Sequence, residues 1–279
     1  MAHGQDPDRR LPPSAGRRPA ARPDAAALHA LHLAHLLAVP FENLSVHLGE
    51  EIRLDGDSLV EKIAVRRRGG FCYELNGAFG TLLAALGYRV DLLQARVLDR
   101  EGGPGIPYDH MALRVEDADG GRWLADVGFG AYLHRPLAYD RRGEQRDGGG
   151  VFRIEAADGG DLVVVQDGVA QYLWEERPRA PAEFRAGSWW HRTSPDSHFR
   201  RSLVCSLLTD GGSGRITLSG HTLKATGAAV AEDAPADAAR TRELDSDAEV
   251  LEAYRTLFGM EFATVPEAAP VPREVGCRS

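Results

Sequence analysis

Apolar positions recur every three or four residues through the first ninety positions of the chain, and beyond them they fall into short alternating runs. Asp24 stands ahead of a helical series at Leu28, Leu31 and Leu36, which predicts a helix over 25–38 ended by Pro40. Ser58 and Glu61 have capping-box spacing ahead of Leu59, Ile63 and Val65, predicting a short second helix that reaches the RRRGG segment. A third helix follows Gly69–Gly70, with Leu75, Phe79, Leu82 and Leu86 on one face and Gly87 placed to stop it. His29, His32 and His35 share one side of the first helix. Their spacing suits a solvated face, and without carboxylate or thiolate partners they do not suggest a metal site.

From residue 88 the texture changes to short strands at 88–98, 110–116, 122–127, 151–155, 162–166, 171–175, 201–208 and 215–224. Turns such as GGPG, DADGG and DGGSG divide them, which predicts a barrel or an antiparallel sheet. A polar, Ala- and Asp-rich stretch over roughly 228–245 reads as a linker. Ser246 and Glu249 then open a last helix with Tyr254, Leu257 and Phe258 on one face and Gly259 as its stop; the tail beyond Pro266 reads as mobile. No internal repeat is visible.

Composition narrows the function. The 279 residues carry a net charge of −8, which gives no electrostatic reason to expect nucleic acid or an anionic membrane as partner. No apolar run approaches the roughly 18 residues that span a bilayer. The first 24 residues mix arginines with aspartates and prolines around no apolar core, so they read as mostly disordered or loosely packed and not as a secretory signal. Three well-separated cysteines, Cys72, Cys205 and Cys277, argue against a disulfide framework or a structural zinc and for a reducing, cytoplasmic setting. The Ala-, Arg- and Gly-rich usage points to a bacterium of high GC content.

Cys72 opens the third helix. Unpaired N–H groups of a first helical turn and the helix dipole favour a thiolate there, below the ordinary thiol pKa of about 8.5. Gly69 and Gly70 would let backbone approach a substrate. A buried, inert cysteine is the alternative, and position alone leaves the two even. The stretch 110–130, HMALRVEDADGGRWLADVGFG, can supply partners. It reads as a hairpin, and a register with Val115 opposite Gly121 sets Leu113 against Trp123 and His110 against Asp126. A slip of one residue would send His110 and Asp126 to other neighbours. A surface His–Asp pair remains the alternative at this point. Thiol, imidazole and carboxylate together have the logic of acyl transfer through a cysteine.

RRRGGFCYELNG (66–77), DHMALRV (109–115) and DVGFG (126–130) resemble the signature segments of the arylamine N-acetyltransferases, with PFENL (40–44) and SPDSHF (194–199) as two further matches. The resemblance runs from about residue 25 to about 224. It implies an α+β fold: a helical bundle over 1–87 carrying Cys72, an antiparallel β-barrel over 88–190 carrying His110 and Asp126, and an α/β lid over 191–279. The catalytic core would be similar to that of cysteine proteases. By the match Cys72 is the nucleophile, His110 its base and Asp126 the orienting carboxylate. Phe41, Phe129 and Phe199 fall among the substrate-binding positions, and Gly128 to Gly130 resembles a segment near the coenzyme A entrance. One departure is plain: the first twenty residues lack the aromatic-containing helix with which family members usually begin.

The activity so implied is acetylation of arylamines, arylhydrazines or arylhydroxylamines, typical of xenobiotic metabolism. Acetyl-CoA is the donor, an acetyl-cysteine the intermediate in a ping-pong cycle, no metal takes part, and the protein is a monomer or homodimer. Backbone N–H groups near Cys72 would hold the oxyanion. Two other readings stay open: an amide synthase closing a macrolactam from a carrier-bound acyl chain, and a cysteine hydrolase; a binding module on a degenerate scaffold is a third reading, and retention of all three catalytic side-chain types argues against it.

Overall fold

The structure is a computed structural model and describes residues 22–130, 133–227 and 239–268. Most of the expected disordered start, the first part of the linker, Cys277 and most of the tail lie outside the described residues.

Helix α1 spans Ala25–Ala38, and its cap Asp24 accepts from the Ala27 N–H at 2.9 Å. Its histidine face is turned inward, against the expectation of a solvated one. His32 is fully buried, His29 meets Trp123 edge-on at 4.9 Å, and His35 meets Phe79 at 5.2 Å. The reason is periodicity: His32 lies four residues from both Leu28 and Leu36, in the middle of the buried stripe. Strand β1 (Phe41–Glu42) and the single turn α2 (Leu44–His47) follow. Helix α3 (Gly56–Val60) runs on into a π-helical turn at Glu61–Val65. Its cap is Asp55, which accepts from Ser58 N–H at 3.0 Å, so the expected Ser58–Glu61 box begins three residues late. Helix α4 spans Cys72–Ala85, and Gly87, at φ +98°, turns the chain out of it.

Eight strands then form one antiparallel sheet: β2 (Arg89–Val97), β3 (His110–Glu116), β4 (Arg122–Ala125), β5 (Leu137–Ala138), β6 (Gln145–Asp147), β7 (Gly150–Ala156), β8 (Leu162–Gln166) and β9 (Val169–Arg179). The order is β5-β4-β3-β2-β9-β8-β7-β6. The sheet curls until its edges nearly meet, and the Gln145 amide on β6 bonds both the N–H and the carbonyl of Ala138 on β5, at 2.8 and 3.0 Å. Ala112, Leu124, Phe152, Ile154 and Trp174 fill the inside. The other face of β3 and β4 presents Leu113, Val115 and Ala125 to Leu28 and Leu36 of α1 and to Leu75 and Phe79 of α4. Each large side chain sealed there contributes roughly 1.5–3 kcal/mol, which fixes helix α4, and Cys72 with it, against the hairpin.

Helices α5 (Arg185–Thr193) and α6 (His198–Arg201) lead to β10 (Cys205–Thr209), β11 (Gly214–Ser219), β12 (Thr222–Thr226) and β13 (Ala239–Glu243). They form a second sheet in the order β1-β10-β11-β12-β13, so a strand from the N-terminal region edges it. Helix α7 (Asp247–Phe258) packs on it, capped by Ser246 and closed by Gly259 at φ +67°. Three expectations change here. The strand expected over 201–208 opens on the last residue of α6, because the Ser197 side chain caps that turn. The run 215–224 is two strands turned at Gly220, φ +57°. Residues 239–243 of the expected linker pair with β12, while 228–238 lie outside the described residues.

Candidate active site

Cys72 is the first residue of α4 and is 3 % exposed. Beside it lies a buried charged cluster built from Glu42 of PFENL, Arg68 of RRRGG, Lys62 of the π-helical turn and Glu74 of α4. Arg68 holds Glu42 at 3.0 Å, Lys62 holds Glu74 at 2.6 Å, and Glu74 accepts from the Phe71 N–H at 3.3 Å just ahead of the cysteine. The glycines have a different purpose from the one expected. A Cβ on Gly69 would lie 2.0 Å from the Pro40 carbonyl oxygen, and one on Gly70 would lie 2.6 Å from Glu74 Cβ. They admit the chain's own neighbours and not a substrate; the residue here with positive φ is Arg67, at +51°.

The 110–126 hairpin brings its pair together by a register other than the expected one. Leu113 faces Ala125 and Val115 faces Trp123, two residues away from the anticipated alignment. Asp117 explains the shift: its side chain accepts from Asp119 N–H, Gly121 N–H and the Trp123 indole, all at 2.9 Å, and so tightens the loop. A slip of two preserves which face each residue occupies, so His110 and Asp126 become diagonal neighbours on one face. His110 Nε2 donates to Asp126 Oδ2 at 2.7 Å. The other ring nitrogen is left for the Cys72 thiol, which is hydrogen-bonded to the His110 side chain and also accepts from the Met111 N–H. Gly128 is required by contact: a Cβ there would lie 2.7 Å from Cys72 Cα.

Asp126 is 3 % exposed and fully bonded, with Oδ1 accepting from Asn76 Nδ2 at 2.8 Å and from Gly128 N–H at 2.9 Å. Burial pushes its carboxyl up, but His110 and these bonds outweigh it and hold it below the usual range. For His110 burial acts downward, and the Asp126 charge and bond, with Cys72, reverse it and raise the imidazole to about 10. Burial pushes the Cys72 thiol up, against the lowering expected from the helix N-terminus; the bond and charge of His110 pull it down. The thiolate therefore depends on a protonated His110 beside it, and the two titrate as one unit.

Cys72 and His110 open onto a cavity of about 310 Å³. Phe41, Gly128, Phe129, Gly130 and Phe199 all line it, so every residue singled out in the sequence for binding reaches the same space. The His110 ring packs edge-on against Phe129 at 5.1 Å, and Phe41 faces Phe199 at 6.1 Å. A thiol, a charged imidazole and a satisfied carboxylate beneath an aromatic-walled space suit covalent transfer of an acyl group.

Comparison with known proteins accords with that chemistry. The N-acetyltransferase family profile matches residues 24–265. The arylamine N-acetyltransferase of Mycolicibacterium smegmatis is 34% identical over 249 residues, 86% of each chain. The arylamine N-acetyltransferase / N-hydroxyarylamine O-acetyltransferase of Salmonella typhimurium is 36% identical over 208 residues, 72% of this chain and 73% of that one. The chain belongs to the arylamine N-acetyltransferase family. A solved arylamine N-acetyltransferase of Mycobacterium marinum in complex with CoA superposes with a TM-score of 0.74 at 30% identity, covering 86% of this chain and 88% of that one. Family membership makes the protein an acyltransferase.

Within this arylamine N-acetyltransferase framework the sequence left several site residues unnamed. Asn76 lies one helical turn beyond Cys72; besides Asp126 it bonds the Met111 carbonyl at 2.6 Å and accepts from Val127 N–H at 2.9 Å. Its i,i+4 spacing from the cysteine was the available signal. His198 lines the cavity with its ring 3.9 Å from that of Phe199, and it adjoins that phenylalanine in SPDSHF. His191, held by Asp109 Oδ1 at 3.1 Å and Ser197 Oγ at 3.2 Å, ties α5 to the start of β3, and no local pattern announces it.

Proposed function

We propose that the protein acetylates arylamines, arylhydrazines or arylhydroxylamines from acetyl-CoA through an acetyl-Cys72 intermediate. The observation that carries this is the single hydrogen-bonded chain Cys72–His110–Asp126 at the wall of the aromatic cavity. The Cys72 thiolate attacks the thioester carbonyl, the first-turn N–H groups of α4 take the oxyanion, and His110 gives its proton to the departing CoA sulfur. The amine then attacks the acetyl-cysteine. Aryl amines are largely neutral at pH 7, so the lone pair is free. His110 takes the proton released at nitrogen, the C–S bond breaks, and thiolate and imidazolium are restored. Phe41, Phe129 and Phe199 hold the aryl ring, and the Gly128–Gly130 turn borders the entry of coenzyme A. A volume of about 310 Å³ accommodates a single-ring amine beside the acetyl group.

No helix among the described residues is long and apolar enough to cross a membrane. We place the reaction in the cytoplasm of a bacterium, where thiols stay reduced and acetyl-CoA is made. Initial rates measured against arylamine at several fixed acetyl-CoA concentrations test the cycle. Parallel double-reciprocal lines are expected; intersecting lines would show that both substrates bind before transfer and would exclude the acetyl-enzyme route.

A further inference from the structure

Three histidines line the inner side of α1, and one of them reaches the catalytic loop by both ring nitrogens. His32 Nδ1 lies 3.1 Å from the carbonyl oxygen of His134, and its Nε2 lies 3.3 Å from the backbone N of Asp126. The partners fix the tautomer: a carbonyl only accepts, so Nδ1 carries the proton, and an amide N–H only donates, so Nε2 is bare. A proton on Nε2 would set two donors against each other. The surroundings agree. His32 is fully buried against Phe79, and the ionisable groups facing it are Asp126 and Asp147 from the barrel side and His35 from its own helix. Burial outweighs the two carboxylates and holds it neutral, with its pKa lowered to about 4.

Asp126 comes one residue after β4 ends at Ala125, where sheet hydrogen bonding has stopped. Three successive backbone donors then need partners, and all three find side chains: Asp126 N–H meets His32, Val127 N–H meets Asn76, and Gly128 N–H meets the Asp126 carboxylate. The two His32 contacts bracket the segment 126–134, which contains Asp126, Gly128, Phe129 and Gly130.

We propose that His32 is a positioning residue: as a neutral Nδ1–H imidazole it holds the backbone of Asp126, and thereby sets the carboxylate that orients His110 and sustains the Cys72 thiolate. It touches neither substrate nor the reacting atoms. Helix α1 thus takes part in building the triad, although none of its side chains belongs to it.

The test is the pH profile of Cys72 alkylation by iodoacetamide in the full chain, which depends on the cysteine–histidine pair and not on acetyl-CoA. His32→Leu puts an apolar side chain of similar size in its place and removes both bonds. Its profile is expected to move to higher pH by on the order of one unit, about tenfold slower alkylation on the lower limb of the profile. His32→Gln keeps an acceptor near the Nε2 position, and its profile is expected to lie close to the native one. Should His32→Leu not fold, His32→Asn replaces it: its shorter amide reaches toward His134 but not the Asp126 N–H, and the same shift is expected. Native-like profiles for the Leu or Asn variant would overturn the proposal, and so would equal shifts in the Gln variant. Failure of acetyl transfer with an intact alkylation profile would instead count against the proposed activity and leave His32 in its role.

Discussion

At the scale of single residues, the proposed chemistry rests on how Asp126 controls His110 and how His110 controls Cys72. His110 is raised to about 10 because Asp126 stands 2.7 Å from its Nε2, against the downward push of burial. Asp126→Asn keeps the shape and removes the charge. The imidazole pKa should fall toward its ordinary value of about 6.5 and the thiolate should go with it, lowering acetyl transfer by on the order of 10³–10⁴-fold; initial rates with the fold checked by circular dichroism measure this. His110→Gln removes the partner that pulls the thiol down most and leaves the Met111 N–H and the helix terminus against burial, so alkylation of Cys72 at pH 7 should nearly cease. Retained alkylation would show that these two suffice without the imidazole. The sequence alone made that terminus the main source of thiolate. A first-turn position predicts the dipole but says nothing of burial, and burial reverses the sign.

At the scale of elements, the site depends on close approaches that two kinds of feature make possible. One is glycine. Gly128→Ala places a methyl group 2.7 Å from the Cys72 Cα, backbone that cannot yield, so the hairpin must back away from α4. We expect a loss of roughly 1–3 kcal/mol in urea unfolding and a larger proportional loss of activity. The other is the buried cluster under the cysteine. Arg68 is 8 % exposed at its side chain and pairs with the fully buried Glu42 at 3.0 Å, so Arg68→Met takes away that carboxylate's nearest cation and leaves it Lys62 at 4.0 Å. The expected cost is about 3–5 kcal/mol, read as a lower urea midpoint at unchanged slope. Legibility differed between these elements. Long amphipathic helices and alternating strands were readable because their periods are local. The 113–125 register was missed by two residues because the Asp117 side chain, not the apolar alternation, sets the loop; the face assignment survived because an even slip preserves it. Strands β5 and β6 are too short to leave a pattern, and β13 is a polar edge that resembles linker.

At the scale of the whole molecule, helix bundle, barrel and second sheet meet around one cavity, and buried histidines connect pH to stability. His32 and His35 have pKa values lowered to about 4 and about 3, chiefly by burial. The unfolded chain binds protons on both below about pH 6.5 while the native one refuses them. Their contribution is intact above 6.5 and lost as pH falls toward 4, with a slope of up to roughly 2.7 kcal/mol per pH unit. His110 acts oppositely: its contribution is full below about 6.5 and fades as pH rises through about 10. Stability should therefore peak near neutrality. Because His35 Nε2 is buried without a partner among the described residues, His35→Leu should make the acid limb less steep, seen in urea titrations at pH 7, 6 and 5. The inward histidine face was hidden in the sequence, since a polar residue at apolar spacing looks the same whether it is solvated or buried. The five family-like segments were legible because each is short and contiguous; what joins them over long separations, such as His32 to Asp126, was not. The proposed function requires Cys72 to carry the acetyl group. Intact mass after mixing with acetyl-CoA tests it directly. One acetyl adduct is expected on the native protein and none on Cys72→Ala, with discharge by an arylamine faster than by water. An unmodified native mass, or an adduct that persists in Cys72→Ala, would contradict it.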